Sequence, residues 1–554
     1  MIYDRWIPAE VPPNGSIPIT QPTLRSVFLR RGIDDDTKFR QFVSPSVDDL
    51  HDARGIHGVD HACERIARAI RDGETILIYG DYDVDGVTSI VLLQTVLRSL
   101  GAEAGFVVPH RLVDGYGLKI EVLERVLAER DVKLVITVDC GITSVEPVRM
   151  AIERGIDVII TDHHLPPGLL PDAAAVLNPK QPGCDYPFKE LAGVGVAFKL
   201  CSELIRRSGR KISLQSLLKI AAIGTIADVA PLVGENRTIA QLGLDGLSES
   251  RNPGLRAMLR RLGLHGKPLR ASDIGFKVGP RINAAGRLAS ADTAIDLFAA
   301  RDEESAWTIC AELDRLNAER QQIEATVREA AQSQMAGGER VLVLAGEAWH
   351  KGVLGLAAGR IAQQVHRPTL VISIEGERCV GSARSIRTID LYSQLAAVSD
   401  LFTHFGGHEF ACGFSLPATN LPALRARLGE RFATLEGDLF RRDAVVEGDL
   451  SLAEFDREFV MAHELLQPFG AANDQPLFMV RRVRVESRRT FAADCCELTV
   501  RDSSGSGIAV VWPSVKQLAA TPPAEQHDLL VRIEPDSWSR TGGRLAVCDV
   551  RPAE

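Results

Sequence analysis

No apolar stretch in the 554 residues is long enough to cross a bilayer. The opening residues, MIYDRWIPAEVPP, carry Asp4 and Arg5 and lack the apolar run of a secretory signal. There is no CxxC pair: the ten cysteines are scattered, and the two neighbours, Cys495 and Cys496, are adjacent. These absences argue against a membrane span, a disulfide framework or a cysteine-based zinc site. They predict reduced thiols in a cytoplasmic chain with no membrane partner. A surplus of positive charge is missing too, since the formal net charge is −9, which speaks against a general nucleic-acid coat.

Positive charge is nevertheless present locally. Residues 251–290 hold Arg251, Arg256, Arg260, Arg261, Lys267, Arg270, Lys277, Arg281 and Arg287 against the single acid Asp273. A second run, Arg481, Arg482, Arg484, Arg488 and Arg489, lies near the C-terminus. Either run alone reads equally well as a solvated face or as a track for phosphates, and two such runs in one acidic chain favour the track.

The apolar fraction of 45% and charged fraction of 25% are those of a globular protein, and the length allows several domains. Residues 1–50 read as a small helical preface. From about residue 72, short β-branched runs alternate with helical patterns: ETILIYG (74–80), AGFVVPH (104–110), KLVITVD (133–139) and DVIITD (157–162). This predicts an α/β fold, a doubly wound parallel sheet, over 51–300. A long polar helix pattern without Pro or Gly (301–337) predicts a connecting helix, and a second α/β domain follows over 338–437. The tail, 438–554, has strand patterns such as PLFMVRRVRV, CELTVRD, GIAVVW and LLVRIE. It is expected to form a C-terminal β-barrel, OB-like.

The chemistry lies where the strands end. The first closes into Asp81-Tyr82-Asp83-Val84-Asp85-Gly86, the third into Asp139-Cys140-Gly141, the fourth into Asp162-His163-His164. Ligands of open α/β sheets sit at the carboxyl ends of the strands. Asp228, after a helical run and close before Pro231, is placed to close the cluster from the side. Clustered aspartates repel one another unless a cation intervenes. A set of oxygens with one histidine suits Mg2+ or Mn2+ better than zinc. The spacing Asp83-x-Asp85 lets each carboxylate serve a different ion, and two ions ~4 Å apart support in-line displacement at phosphorus. One such strand end alone is more often a plain turn; three in one crevice are not.

DYDVDG, DCG, DHH and GTIADVAP resemble, in order, the motifs of the DHH phosphoesterase superfamily. His350-Lys351-Gly352-Val353-Leu354-Gly355, GSARSI (381–386) and Gly406-Gly407-His408-Glu409 look like its associated C-terminal domain. PFGAANDQPLF (468–478) is similar to the segment that opens the barrel in one branch, the RecJ single-stranded-DNA exonucleases.

The resemblance implies roles for individual residues. Asp83 would bind one ion and Asp85 the other, Asp139 would bridge them, and His163 and Asp228 would complete the second site. Catalysis would rest on Asp139 and on His164, which would touch the scissile phosphate. Pyrophosphatase-like relatives have a histidine where Tyr79 stands, so the first ion lacks a ligand that Asp81 would supply, directly or through water. Ser382 and Arg384 would grip a terminal phosphate, with Arg111 reaching the same pocket, while Arg281 and His408 would contact the strand's backbone. Tyr116 fits either a base-stacking wall or a simple turn between Gly115 and Gly117. The chain departs from the family at Ala472, usually Gly, at Asp474, usually Pro, and at Cys412, often Ala.

The implied activity is hydrolysis of single-stranded DNA from its 5′ end to 5′-mononucleotides, in repair and recombination, by a monomer with two Mn2+ or Mg2+ ions. Single-strand-binding protein and a helicase would be its partners. Two rivals remain at this point: a phosphodiesterase for short RNA oligomers or cyclic dinucleotides, and a non-catalytic scaffold. The preface and barrel favour a long polymer, and the filled ligand positions favour an enzyme.

Overall fold

A computed structural model describes residues 2–111, 113–492, 495–511 and 526–553. Two compact units emerge: residues 46–433 with 470–473, and residues 1–45 with 434–469 and 474–554. The first strand, β1 (Arg5–Pro8), belongs to the unit that also contains the C-terminal segment.

The larger unit is built on β2 (Ile76–Gly80), β3 (Ala104–Val107), β4 (Leu134–Val138), β5 (Asp157–Thr161) and β6 (Ala175–Leu177). They form one parallel sheet in the order β3-β2-β4-β5-β6. The central strands are apolar on both faces, as helices on both sides require. Val84–Leu100 is among these helices, and Gly193–Ser208 and Leu214–Ala227 pack against it. Four strands lie where the sequence predicts them; the short β6 has no comparable apolar run.

The second sheet has β7 (Leu342–Glu347), β8 (Thr369–Glu375), β9 (Arg378–Arg384), β10 (His404–His408) and β11 (Ala411–Pro417), in the order β10-β11-β9-β8-β7. Only β7 and β8 run parallel. The predicted connector is a 30-residue helix, Glu303–Gln332. It is no free spacer: Cys310, Leu313 and Leu316 sit in the core of the first sheet's layers, and Val327 and Ala331 in that of the second.

In the other unit, β12 (Asp443–Asp449) leads to β13 (Leu477–Ala492), β14 (Cys495–Arg501), β15 (Ser506–Val511), β16 (His527–Pro535) and β17 (Gly543–Pro552). The last five run β13-β14-β15-β17-β16, and β16 pairs back onto β13, closing a five-stranded barrel. Trp512, which ends the run GIAVVW, lies outside the described residues. The N-terminal segment is not a separate helical preface. Its strand β1 pairs in parallel with β12, and Leu24, Val27 and Phe28 of the helix Pro22–Arg30 are buried in the barrel's core.

Among the described residues no helix is long and apolar enough to cross a membrane. All ten cysteines are free, nine of them buried.

Candidate metal centre and phosphate pocket

The loop after β2 is shaped by its own backbone. Asp83 caps the helix Val84–Leu100, its Oδ1 accepting from Asp85 N (2.9 Å) and Gly86 N (3.1 Å). A Cβ on Gly86 would lie 2.4 Å from the carbonyl oxygen of Asp81, so only glycine lets the turn close. Asp85 points inward, where the first amides of the helix Gly193–Ser208 donate to it: Gly193 N to Oδ2 and Val194 N to Oδ1, both 2.7 Å. A helix N-terminus favours a carboxylate, and these bonds fix its direction.

Asp139, just past β4, adopts a left-handed backbone (φ 60°), tolerated by Asp more than by most residues. Its amide still bonds the Thr161 carbonyl (3.0 Å), so its carboxylate, not the chain, turns into the crevice. His163 and His164 follow β5. Asp228 ends the helix Leu214–Ala227.

The side chains meet in two adjoining sets. Asp81, Asp83 and Asp139 offer ligand atoms within 4.8 Å of one another, as do Asp85, His163 and Asp228. His163 Nε2 stands 3.1 Å from Asp139 Oδ1 and 3.9 Å from Asp85 Oδ2. Asp81 Oδ1, Asp139 Oδ1 and His163 Nε2 are buried yet find no hydrogen-bond partner among the described residues. Buried polar atoms without partners are costly, and a shared cation is what such a set fits.

Electrostatics agrees. Burial, then the neighbouring Asp83, raises Asp81 and Asp85, the latter to about 7. Burial, then Asp85, raises Asp139 and Asp228. Burial, with His164 next, pushes His163 down to about 3, leaving the neutral imidazole that a metal requires.

His164 is different. Burial lowers its pKa, but the bond from Nδ1 to Asp162 Oδ1 (2.7 Å) overcomes this and raises it. Asp162 also receives the amides of His163 (2.7 Å), His164 (3.0 Å) and Ile142 (2.9 Å). It therefore orients both histidines, a part that its place in the sequence did not reveal. The Tyr116 hydroxyl lies 3.1 Å from His164 Nδ1 and 3.4 Å from the Asp139 carbonyl, so this residue belongs to the site's wall. His408, exposed at the end of β10, lies parallel to the His164 ring at 6.2 Å.

Beside these carboxylates lies a pocket of cations. Arg384 NH1 donates to Ser382 Oγ (3.0 Å), and both side chains crowd Gly355, where a Cβ would meet Arg384 NH2 at 2.8 Å. Arg111 lies over the Tyr82 ring, 4.7 Å from its centre. Arg287 completes the group, donating to the Gly352 carbonyl (3.0 Å). Burial, then Arg111 and Arg384, pushes Arg287 down to about 9; burial and Arg111 lower Arg384. Among the described residues none of the three pairs with a carboxylate. Arg287 was visible in the sequence only as one member of the basic run.

Most of that run is not a phosphate track. Arg256 and Arg260 pair with Glu303, Arg261 and Arg281 with Asp314, and Lys277 with Asp273. Arg281 thus stands apart from the guanidinium group, held by Asp314 (2.6 Å) and the Lys277 carbonyl (2.8 Å). In the second run Arg481 pairs with Asp449 and Arg489 with Glu497, while Arg484 and Arg488 are exposed.

Fold and site together define a phosphoesterase of the DHH class. The model of the DHH family, N-terminal domain, matches residues 75–225, the DHHA1 domain 338–434 and the RecJ OB domain 446–542. The chain belongs to the RecJ family. It is 38% identical to the single-stranded-DNA-specific exonuclease RecJ of Bacillus subtilis over 96% of this chain and 68% of that protein. With the Escherichia coli RecJ it shares 35% identity over 85% of this chain and 84% of that one. The crystal structure of RecJ in complex with Mn2+ from Thermus thermophilus superposes with a TM-score of 0.85 at 28% identity, covering 99% of this chain and 80% of that one. The Mg2+ complex from the same organism gives 0.80 at 27% identity, covering 99% and 79%.

Proposed function

We propose that the chain degrades single-stranded DNA exonucleolytically from the 5′ end, releasing 5′-mononucleotides. The observation that carries this is the adjacency of one cluster of aspartates and histidine to a set of guanidinium groups that have no carboxylate partner among the described residues. The cluster suits a pair of hard cations; the guanidinium groups need an anion.

Asp81, Asp83 and Asp139 would hold one Mn2+ or Mg2+, and Asp85, His163 and Asp228 the other, with Asp139 shared between them. When bound, such a pair lowers the pKa of water and offsets charge on the attacking and leaving oxygens. The protein's own groups do the rest. Gly193 and Val194 hold Asp85 in one orientation, so the ligands are preorganised. Asp162 keeps the His164 imidazole turned and favours its charged form, from which it would donate to the phosphodiester oxygen. Arg384, Ser382, Arg111 and Arg287 would seat a terminal phosphate, for which the planar guanidinium fork is better suited than lysine. His408 would touch the strand's backbone. Arg281, engaged with Asp314, would do so only by exchanging that partner.

On this reading the chain works as a monomer in the cytoplasm, in repair and recombination, alongside single-strand-binding protein and a helicase. Single-stranded DNA labelled at either end and digested with Mn2+ tests it. A 5′ label should appear at once as mononucleotide and a 3′ label should shorten progressively. The opposite pattern, or preference for a dinucleotide over the long strand, overturns it.

A further inference from the structure

The crevice holds one cation that the guanidinium group does not account for. The short strand β6 runs beside β5, and the Asp162 amide bonds the Leu177 carbonyl (3.0 Å), so the residues after β6 lie level with the two histidines. Asn178, buried, joins the two stretches. Its Nδ2 donates to the His164 carbonyl (2.8 Å), and its Oδ1 accepts from the Lys180 amide (2.8 Å). Lys180 is thereby fixed at the same carboxyl edge of the sheet as the metal-site residues.

Its charge is felt there. Burial is the chief influence on His163, His408 and Asp228, lowering the two histidines and raising the aspartate. On all three the Lys180 ammonium acts as well, pulling each pKa down. The guanidinium groups bear on the other carboxylates: Arg111 acts on Asp81, and Asp83 acts on Arg287. Cations therefore border both sets of ligands, guanidinium groups by the first and an ammonium by the second.

What holds this ammonium is weak. Its ion-pair partner is Glu190 Oε2 (3.2 Å), and while the lysine side chain is only 20% exposed, that of the glutamate is 50% exposed. An ion pair reaching into solvent contributes little and is screened by salt. The Glu190 backbone is pinned, since its carbonyl receives the Asn236 side-chain amide, so only the carboxylate needs to move. An ammonium has three donors and no acceptor, and a phosphate oxygen suits it as well as a carboxylate does.

We infer that Lys180 contacts the phosphate next beyond the scissile one, taking it in exchange for Glu190. With a terminal phosphate among the guanidinium groups and the scissile one at the cations and His164, that is the phosphate left for a charge beside the second set. The inference rests on the reading of attack at a 5′ end, but binding without hydrolysis tests the contact by itself.

Full-length protein is titrated in EDTA with a 5′-phosphorylated oligothymidylate of about 10 nucleotides over a range of salt. Lys180→Ala should weaken binding by about tenfold or more, the loss of one charge-assisted bond. It should also flatten the plot of log K against log salt by about 0.7, the share of one phosphate on a single strand, and Lys180→Arg should restore that slope. Glu190→Gln should act in the opposite direction and tighten binding roughly two- to fivefold, by freeing the ammonium. In the Lys180→Ala background that gain should vanish, because the two side chains act as one unit. With Mn2+ present, the Lys180→Ala defect in kcat/KM should be severalfold smaller on a 5′-phosphorylated dinucleotide, which has no phosphate past the scissile one. Weakening by both single variants marks a structural pair and overturns the inference. So does a Glu190→Gln gain that persists without Lys180, or an equal defect on the dinucleotide and the longer strand. If the binding pattern holds while digestion starts from the 3′ end, the reading of 5′ attack fails and the exchange of Glu190 for phosphate stands.

Discussion

Gly193 faces Asp139 so closely that a Cβ on it would lie 2.6 Å from Oδ1 and 2.9 Å from both Cβ and Cγ of that aspartate. The aspartate side chain is short, so it cannot swing clear without leaving the crevice. Gly193→Ala should therefore displace the carboxylate shared by the two cation sets. A misplacement of this order costs ~10²-fold in rate. Steady-state hydrolysis of a labelled oligonucleotide checks it, with circular dichroism to show the fold intact.

Asp139→Ala removes that carboxylate outright. Hydrolysis should fall by ~10²–10³-fold or more, as when one charge-stabilising group is deleted at a reacting centre. DNA binding, which draws on Arg111, Arg287 and Arg384, should survive within a few-fold. A filter-binding titration run beside the activity assay separates the two.

The aspartate pKa shifts set a pH dependence for the metal-free protein. Asp81 and Asp85 are raised by burial and then by Asp83, and Asp139 and Asp228 by burial and then by Asp85. An acid whose folded pKa is raised binds more protons folded than unfolded, so stability falls with rising pH. For Asp85 the loss runs from about pH 4, its ordinary range, to about pH 7 and then levels off. The lowered His163 acts in the opposite direction, but the four raised aspartates outnumber it, so the midpoint of thermal unfolding in EDTA should drop across this window. Mn2+ should reverse the drop above it, adding ~2.7 kcal/mol at a hundredfold excess over Kd. A midpoint that rises with pH in EDTA would contradict the clustering.

Arg384→Ala should raise KM for a 5′-phosphorylated strand by about tenfold or more while barely affecting a 5′-hydroxyl strand, since a charge-assisted bond contributes roughly 1.5–3 kcal/mol. Arg384→Lys should recover little of the discrimination, because the fork geometry is lost. Equal effects on both strands would place the terminal phosphate elsewhere.

Ala472 occupies a left-handed backbone (φ 58°), a region that glycine enters without steric cost. Ala472→Gly should stabilise the protein by ~1 kcal/mol, by removing the cost of a Cβ in that region. Urea unfolding followed near this loop, where the Ala471 carbonyl receives the Leu232 amide (2.7 Å), measures it.

Much of the catalytic sheet was legible because β2, β4 and β5 are local runs whose ends carry their own chemistry. Asp83, Asp139 and His163 could be named without knowing what packs on them. Partners brought in from afar could not. Gly193 matters through a contact with Asp139, and nothing in a lone glycine announces it. The basic run at 251–290 looked free because its counter-charges, Glu303 and Asp314, belong to a different helix. β1 escaped notice since Arg5 pairs with Asp443, more than four hundred positions on. Long-range pairing leaves no local periodicity to read.

That pairing has a practical corollary for anyone trimming the protein. Excising only the first 45 residues would bare the hydrophobic seat of Phe28 and strip β12 of its neighbour, inviting aggregation. Head and tail must be kept or removed together.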